Sequence, residues 1–470
     1  MRYVPLVVLM STALGGCMVG PDDRARPAVP GAQAGWIAPG APAAVDRAWW
    51  QALGDRRLDA LVDAALAGNL DIRAAQARLR EARANRDAAA GRLLPEIGAT
   101  GSASRSELSE HGQLPLAQLP GFARQYSLFD AGFDASWEID LWGGGRRAVE
   151  GAQAQTRAAA ARIDDIRLQT IAEVARSYTD LRSAQARLAN VHEDAEIRAA
   201  LAGLVAQRFA AGEASASDLA QAQQRADTTR AGVAGIRADI RAAIYRLGLL
   251  TGRPPEALVA ELDPPAPMPA PPPLLATGIR SDLLRRRADV RIADADLAAA
   301  TANIGVETAN LYPRFSLVGA LGQQSRALSD FSAASSTRFQ AGPSFSWPIF
   351  SFGRIRAQIH AAKAGADVAA VQYEKAVLGA LGDSETAVNR LAAARTVQAD
   401  RAAASARSSA ATAFAARRYH AGEEDRLAWL EARSAGLAVE QQALSAQADT
   451  LQAYIALAKA LGGTWDTPQK

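Results

Sequence analysis

The chain has 470 residues, of which 52 are basic and 49 acidic, and its formal net charge is +3. Because no long run of like charge interrupts this balance, an arm that binds nucleic acid is not expected. The length alone would suggest about three domains, but an alanine-rich composition with 6% aromatic residues favours long helices and coiled coils.

The N-terminus has the features of a secretory leader. Arg2 precedes an apolar segment that is too short to span a membrane. The segment Leu14-Gly15-Gly16-Cys17 resembles the lipobox of bacterial lipoproteins, in which cleavage occurs before the cysteine. We expect residues 1–16 to be a signal peptide and Cys17, the only cysteine, to carry a covalent lipid; the alternative is a small residue in a discarded leader. In such lipoproteins Met18, rather than an aspartate, at the next position favours sorting to the outer membrane.

A strand with two unlike faces is predicted between Phe129 and Leu141. Apolar residues alternate with small and acidic ones, which describes a strand between two different media. If the apolar face meets lipid, the opposite face lines a wet lumen and the tryptophans lie near the membrane interface. A soluble β-sandwich edge is the alternative. The predicted lumen residues are Asp130, Asp134 and Glu138, with Asp140 on the same face, and the predicted interface residues are Trp137 and its later counterpart Trp347.

A very long helix follows this strand. Between Gly145 and Phe209 there is no proline, and at about 1.5 Å per residue such a helix would be roughly 100 Å long. A return helix is predicted at about 217–250, because its apolar residues recur at alternating spacings of three and four, as in a heptad seam. The predicted seam consists of Leu219, Ala222, Ala226, Thr229, Val233, Ile236, Ile240, Ala243 and Leu247.

The chain then repeats its own layout. Pro95 recurs as Pro313 at an offset of 218, and Trp137 recurs as Trp347 at an offset of 210, so an insertion of eight residues is predicted in the first hairpin loop. The second hairpin alternates likewise, as far as Ile349. The predicted segments are a tether at 17–54, a first repeat at 55–263 with a β-hairpin at about 96–142 and a helical hairpin at about 143–250, a proline-rich connector at 264–280, and a second repeat at 281–470 with a β-hairpin at about 314–352 and a helical hairpin at about 353–462.

Two hairpins per chain have a physical consequence for the assembly. A sheet in lipid cannot leave its edges unpaired, and single-chain barrels in outer membranes need at least about eight strands. If these strands meet lipid, other copies of the chain must therefore complete the barrel. The long helices carry Arg, Asp and Glu along their length, so they are expected to project into water.

Several features together resemble one family. The lipobox, the duplicated layout, the segment 137–143 (Trp-Glu-Ile-Asp-Leu-Trp-Gly) and Arg418-Tyr419-x-Ala421-Gly422 resemble the TolC-like outer-membrane efflux proteins, specifically the lipoprotein branch with OprM- and NodT-type members. The resemblance covers essentially the whole mature chain. It implies a membrane α+β fold, in which a homotrimer forms a transmembrane β-barrel with four strands per chain, continued by a long periplasmic coiled-coil tunnel. It also implies a lipid-anchored location in the bacterial outer membrane.

The same resemblance implies a function. It describes a passive exit duct of a tripartite efflux system, opened by a periplasmic membrane-fusion adaptor and an inner-membrane, proton-driven pump of the resistance-nodulation-division class. Drugs or other small toxic compounds would leave through it. The alternatives are a duct for an ATP-driven type I protein secretion system and a coiled-coil lipoprotein without a pore. No catalytic residue, metal site or cofactor other than the lipid is expected, since neither a zinc-protease motif nor a nucleophile elbow occurs.

Candidate site residues lie around the turns of the helical hairpins. Gly212 and Gly422 are predicted to end their helices as left-handed C-caps, and the resemblance makes both turns, with Glu213, Glu423 and Glu424, the adaptor-docking tips.

The resemblance also places a channel gate in the second helical hairpin. In the trimer, Leu427 would form a hydrophobic ring and Glu431 an acidic ring, with Arg418 and Tyr419 as polar tethers. Three carboxylates around a narrow axis repel one another and attract cations. Two alternatives remain open: Glu431 as a solvated acid on the helix face, and Leu427 as the last leucine of the seam.

Overall fold

The computed structural model describes residues 18–23, 26, 29, 37, 48–109, 124–272 and 286–462. The predicted signal peptide and Cys17 therefore lie outside the described residues. The helices are α1 (Arg56–Gly68), α2 (Leu70–Gly91), α3 (Gly144–Ala210), α4 (Ala216–Leu250), α5 (Val259–Leu262), α6 (Ala288–Ala309), α7 (Arg354–His420) and α8 (Arg426–Ala460), and the strands are β1 (Glu96–Glu107), β2 (Gln125–Ile139), β3 (Arg314–Ser325) and β4 (Thr337–Ser346).

The four strands form one antiparallel sheet in the order β1-β2-β3-β4. In the first hairpin Glu96 lies opposite Ser136, and in the second Arg314 lies opposite Ser346. These residues are related by the offsets of 218 and 210 seen in the sequence, so the two hairpins have corresponding registers. Within the described residues, β1 pairs only with β2 and β4 only with β3.

The ends of the strands differ from the prediction. β2 ends at Ile139, and the Asp140 carboxylate accepts hydrogen bonds from the amides of Gly145 and Arg146 at 3.1 and 2.9 Å. The prediction that the strand and its polar face continue to Asp140 is therefore wrong, because the first amides of a helix need an acceptor and this carboxylate supplies it. β4 likewise ends at Ser346, so Ile349 lies outside the strand.

The two helical hairpins have matching lengths. Helices α3 and α7 each contain 67 residues, and α4 and α8 each contain 35. Every predicted seam position of α4 is buried or half-buried, whereas the other residues between 216 and 240 are exposed. The heptad spacing therefore identified the packed face of this helix. None of the described helices combines the length and the apolarity that a membrane-spanning helix requires.

The chain divides into two units. The first contains the whole sheet, and the second contains the turns of both helical hairpins. The first unit comprises the described residues of Met1–Pro27, Leu79–Ala158 and Ala293–Tyr373, and the second those of Ala28–Arg78, Ala159–Ile292 and Glu374–Lys470.

The second unit has a large hydrophobic core. The rings of Trp49 and Tyr454 meet edge to face at 6.0 Å, and the Tyr454 hydroxyl donates to the Trp49 carbonyl at 3.0 Å. Asp55 caps α1 and also accepts a hydrogen bond from the buried Tyr178 hydroxyl at 2.7 Å. Burial, together with this carboxylate, raises the pKa of Tyr178 to about 12. Other buried members of the core are Leu58, Val62, Leu181, Ile244, Leu247 and Leu258.

Candidate functional site

One face of the sheet is polar and hydrogen-bonded from strand to strand. The Asp130 carboxylate accepts from Arg338 Nη2 at 2.8 Å and from Gln324 Nε2 at 2.6 Å. Asp134 accepts from Thr100 Oγ1 at 2.7 Å. Sequence reasoning placed these aspartates on one face but did not foresee that an arginine from β4 would pair with one of them. The face is thus a mixed-charge surface rather than a purely acidic one.

The opposite face is apolar and exposed. A row across three strands consists of Phe133, Leu321 and Phe339, which lie opposite one another in the register. Phe133 is 63% exposed and Phe339 is 76% exposed. An apolar surface of this kind marks a contact with lipid or protein. The two faces of the sheet therefore differ in polarity, as the alternation in the sequence predicted.

The two predicted interface tryptophans have the same anchor. Trp137 Nε1 donates to the Leu93 carbonyl at 2.9 Å, and Trp347 Nε1 donates to the Leu311 carbonyl at 3.0 Å. The first bond spans 44 residues and the second 36, an eight-residue difference that matches the predicted insertion. Each ring is therefore fixed to a backbone carbonyl in the segment that leads into its own hairpin.

The turn of the first helical hairpin is closed by a left-handed glycine. Gly212 has a φ of 77°, and the Glu213 amide donates to the Arg208 carbonyl at 2.8 Å. Ser215 then starts α4 with a capping box in which it bonds reciprocally with Asp218. Gly212 and Glu213 are both exposed.

The second turn has the same geometry. Gly422 has a φ of 77°, and the Glu423 amide donates to the Arg418 carbonyl at 2.9 Å. Gly422 and Glu423 are exposed, whereas Glu424 is half-buried because it forms an ion pair with Arg418 at 3.5 Å. The predicted left-handed C-caps are thus present at both turns.

A groove joins the two turns. Its volume is about 340 Å³. It lies beside the predicted tip residue Glu213 and the predicted gate residue Leu427, which the sequence did not place together. The groove is lined by Leu204, Gln207, Arg208, Ala211, Glu213, Asp425, Arg426 and Leu427.

The predicted tethers make their contacts within their own hairpin. Arg418 lies 3.9 Å from a Glu423 carboxylate oxygen, in addition to its pair with Glu424. The Tyr419 ring stacks on Trp429 of α8, with centroids 5.0 Å apart and an interplanar angle of 6°. Sequence reasoning missed Trp429, although an aromatic residue ten positions beyond Tyr419, across a tight helical turn, was a usable signal.

The predicted gate residues lie on one face of α8. Leu427 is half-buried and Glu431, one turn later, is exposed. Both line a cavity of about 470 Å³ together with Arg198, Asp218 and Arg225. The buried leucines in this part of α8 are instead Leu430 and Leu437, which pack against Ile197. Leu427 is half-buried, as several seam positions of α4 are, so the hydrophobic ring and the last leucine of the seam both stay predictions for it.

Helices α3 and α8 are joined by polar contacts that sequence reasoning missed. Arg433 forms a salt bridge with Glu193 at 2.6 Å, and the Ser434 hydroxyl donates to Asp194 at 2.6 Å. The acceptors Glu193 and Asp194 are consecutive residues of α3, and the donors Arg433 and Ser434 are consecutive residues of α8. This link connects the first helical hairpin to the return helix of the second.

The family is decided by comparison with known proteins. The model of the family described as "Outer membrane efflux protein" matches residues 61–253 and again residues 279–463. The chain belongs to the outer membrane efflux protein family. An outer-membrane location and a role in efflux transport follow from this membership, and the sequence-based assignment to the OprM- and NodT-type branch is confirmed.

Several relatives of this outer membrane efflux protein match it over most of its length. The pyoverdine export outer membrane protein OpmQ of Pseudomonas aeruginosa is 30% identical, covering 90% of this chain and 89% of that protein. The toluene efflux pump outer membrane protein TtgF of Pseudomonas putida is 30% identical, covering 98% and 97%. Among solved structures, the outer-membrane channel OprN has a TM-score of 0.83 and 34% identity, covering 96% of this chain and 100% of that one.

Proposed function

We propose that this outer membrane efflux protein is the exit duct of a tripartite efflux system. A periplasmic adaptor opens it, and an inner-membrane, proton-driven pump of the resistance-nodulation-division class supplies the cargo. OpmQ is named for pyoverdine export and TtgF for toluene efflux, and both cargoes are small molecules. These names support small-molecule cargo over the type I protein secretion considered as the alternative.

The two-faced, open-edged sheet is the observation that carries this proposal. Its apolar face is exposed, its polar face is hydrogen-bonded from strand to strand, and each outer strand has one neighbour among the described residues. In hydrocarbon an unpaired backbone group costs several kcal/mol. Because a single-chain barrel needs at least about eight strands, this sheet requires further copies of itself. A trimer, as the family resemblance implies, closes the sheet around a wet lumen that contains Asp130, Asp134 and Glu138.

The chain is proposed to be an internal duplication. The family model matches it twice, and the registers and tryptophan anchors of the two hairpins correspond. The duplication explains why one chain supplies two equivalent hairpins and two equivalent turns.

The described N-terminal segment supports a lipid anchor at Cys17. The Val19 amide donates to the Trp142 carbonyl at 3.0 Å, at the junction of β2 and α3. Gly143, with a φ of 76°, leaves room for Met18: a Cβ there would lie 2.6 Å from the Met18 Cγ. The residues that follow Cys17 are thus held where β2 passes into α3, at the end of the strand that carries Trp137 of the proposed membrane interface. A lipid on Cys17 would insert at that level.

The proposed gate is formed by the second helical hairpin. Leu427 is half-buried and Glu431 is exposed in the single chain. In the trimer they would make the hydrophobic and acidic rings around the axis. Arg418 and Tyr419 hold the end of α7 against Glu424 and Trp429, and so favour the closed packing. Adaptor binding at the tips would shift the population toward an open packing of this hairpin.

Conductance across a planar lipid bilayer tests the duct and its gate. The wild-type trimer is expected to conduct weakly, and Leu427→Ala to conduct several-fold more, because the hydrophobic ring narrows the aperture. Glu431→Gln is expected to reduce the preference for cations, since a ring of carboxylates attracts them. Glu196→Gln on α3, whose side chain is 71% exposed, is the control.

Two results would contradict the proposal at different points. A protein that stays monomeric and dissolves without detergent after removal of its lipid would rule out the barrel. If the wild-type trimer conducts but Leu427→Ala and Glu431→Gln have the same conductance and cation preference as the Glu196→Gln control, the proposed duct stands. The assignment of Leu427 and Glu431 to the gate is then wrong.

A further inference from the structure

The polar face of the sheet contains a strip without side chains between two of its aspartates. Gly132 of β2 lies opposite Gly322 of β3, in the row between those of Asp134 and Asp130. A Cβ on either glycine would lie 2.8 Å from the Cα of the other, so neither position can carry a side chain unless the backbone moves. The two strands therefore approach closely here and leave this part of the face bare.

Arg338 lies beside this bare strip and reaches across it. In the register it is opposite Gly322, on the same face of the sheet. Its partner Asp130 belongs to β2, so the ion pair spans two strand spacings, which is about 9–10 Å. A side chain at Gly322 would stand in that path. The bare strip therefore lets the Arg338 guanidinium lie along the sheet and reach the Asp130 carboxylate at 2.8 Å.

Both carboxylate oxygens of Asp130 accept a hydrogen bond. Arg338 Nη2 donates to one oxygen, and Gln324 Nε2 donates to the other at 2.6 Å. The Asp130 side chain is 16% exposed and the Arg338 side chain 31%. A pair that is held in this way presents a small dipole to the solvent in place of a free carboxylate.

The other two acids of β2 are not neutralised in this way. Asp134 accepts from the uncharged hydroxyl of Thr100, and Glu138 lies opposite Ser316. Among the described residues, no arginine or lysine forms a salt bridge with either carboxylate. The polar side of β2 thus carries one acid with a counter-charge and two acids without one.

We infer that Arg338 determines the charge selectivity of the lumen at the level of Asp130. The inference rests on the proposed duct, in which this face of the sheet lines the lumen. A lone carboxylate about 6 Å from a monovalent anion lowers the local concentration of that anion about threefold in water, and each subunit of the trimer would contribute one such carboxylate. Because Arg338 cancels the charge of Asp130, small anionic solutes such as organic carboxylates pass this level without that repulsion. The attraction for cations is left to the levels of Asp134 and Glu138.

Charged thiol reagents can measure the electrostatic potential at this level. Ser102 lies opposite Asp130 in the β1–β2 register, so Ser102→Cys serves as the reporter. Trimers in outer-membrane fragments, in which the reagents reach both sides of the membrane, are treated separately with a cationic and an anionic methanethiosulfonate. The measured quantity is the ratio of the cationic to the anionic reaction rate, in which differences in the accessibility of the thiol cancel. The protein without Ser102→Cys gives the background from Cys17.

Substitutions of Arg338 and Asp130 should change this ratio in opposite directions. Arg338→Gln leaves the carboxylate without its counter-charge and is expected to raise the ratio at least about threefold. Asp130→Asn is expected to lower it by a similar factor, and the double variant should return to the value of the reporter protein. Arg338→Lys keeps the charge and should change the ratio little. Arg314→Gln is the matched control, since it removes the same charge at the opposite end of β3, beyond the range of screened interactions.

The outcomes separate the role of Arg338 from the duct itself. If Arg338→Gln leaves the ratio unchanged while Asp130→Asn lowers it, or if Arg338→Lys raises it as much as Arg338→Gln does, the inference is wrong and the duct stands. If Arg338→Gln alone does not assemble into trimers, the double variant compared with Asp130→Asn measures the same charge, and equal ratios would overturn the inference. If neither reagent modifies Ser102→Cys until the trimer is unfolded, this face does not line a wet lumen and the proposed duct fails.

Discussion

At the scale of single residues, the Asp55 carboxylate has two roles in the second unit. One oxygen accepts from the Arg57 and Leu58 amides and starts α1, and the other accepts from the Tyr178 hydroxyl of α3. The first role is readable from the sequence, since aspartate is a preferred N-cap. The second depends on a residue 123 positions away, which only the packing of the core brings near.

The Tyr178 hydroxyl predicts an alkaline loss of stability. An unfolded tyrosine has a pKa of about 10, whereas the folded pKa is about 12. Because the unfolded state loses its proton first, the free energy of unfolding is complete below pH 10 and falls between pH 10 and 12. The expected fall is about 1–3 kcal/mol. Thermal unfolding at pH 9 and 11 should show a smaller decrease in Tyr178→Phe than in the wild type or in the control Tyr245→Phe, and equal decreases would contradict the assignment.

At the scale of elements, the two helical hairpins are closed by equivalent turns. Each has a glycine with a φ of 77° and a hydrogen bond between the residue after it and an arginine carbonyl. Each also brings the side chain of that arginine within 3.9 Å of the following glutamate. The second turn adds Trp429, which stacks on Tyr419. The second hairpin therefore has an additional contact between its two helices, in the hairpin proposed to form the gate.

Substituting the turn glycine should have the opposite effect to substituting a glycine inside the helix. Gly422→Ala forces an alanine into the left-handed region and should lower the free energy of unfolding by about 1 kcal/mol. Gly365→Ala, in the interior of α7 where a Cβ meets nothing within 4 Å, should raise it by about 0.5–1 kcal/mol. Chemical denaturation measures both values. The Glu423 amide should also exchange hydrogen faster in Gly422→Ala, and unchanged exchange would contradict this role of the turn.

At the scale of the whole molecule, the proposed duct gives the sheet and the helical hairpins different partners. In that duct the sheet needs lipid on one face and copies of itself at its edges. The turns of the helical hairpins instead present charged residues, Glu213 and Glu423, to water. A barrel in lipid and tips in the periplasm are the arrangement that the proposed duct requires.

Cross-linking in cells should identify the partner at the tips. Glu213→Cys and Glu424→Cys, made separately, are expected to capture a periplasmic adaptor of a proton-driven exporter, which mass spectrometry would identify. Asp227→Cys, on the exposed side of α4, is the control and should capture little of it. Capture of the adaptor of an ATP-driven secretion system would move the function to type I secretion. Equal capture at Asp227 would reject the tips as the docking surface.

Local patterns in the sequence were sufficient for the elements and their faces. The alternation from Phe129 to Ile139 identified a strand with two unlike faces, because side chains of a strand point alternately to its two sides. The spacings of three and four identified the buried side of α4, because that period matches the turn of a helix in a coiled coil. The offsets of 218 and 210 related the two hairpins, and the turn glycines marked the ends of α3 and α7.

The tertiary structure alone decided which distant side chains meet. The pairing of Arg338 with Asp130 and the link from Arg433 to Glu193 join residues whose separation follows no local period. Asp140 fits the alternating pattern of the strand, yet its carboxylate caps α3. It does so because the first amides of the helix have no acceptor within the helix. Periodicity fixes the face on which a side chain lies, whereas its partner depends on the register between elements, and that register is set by the packing of the folded chain.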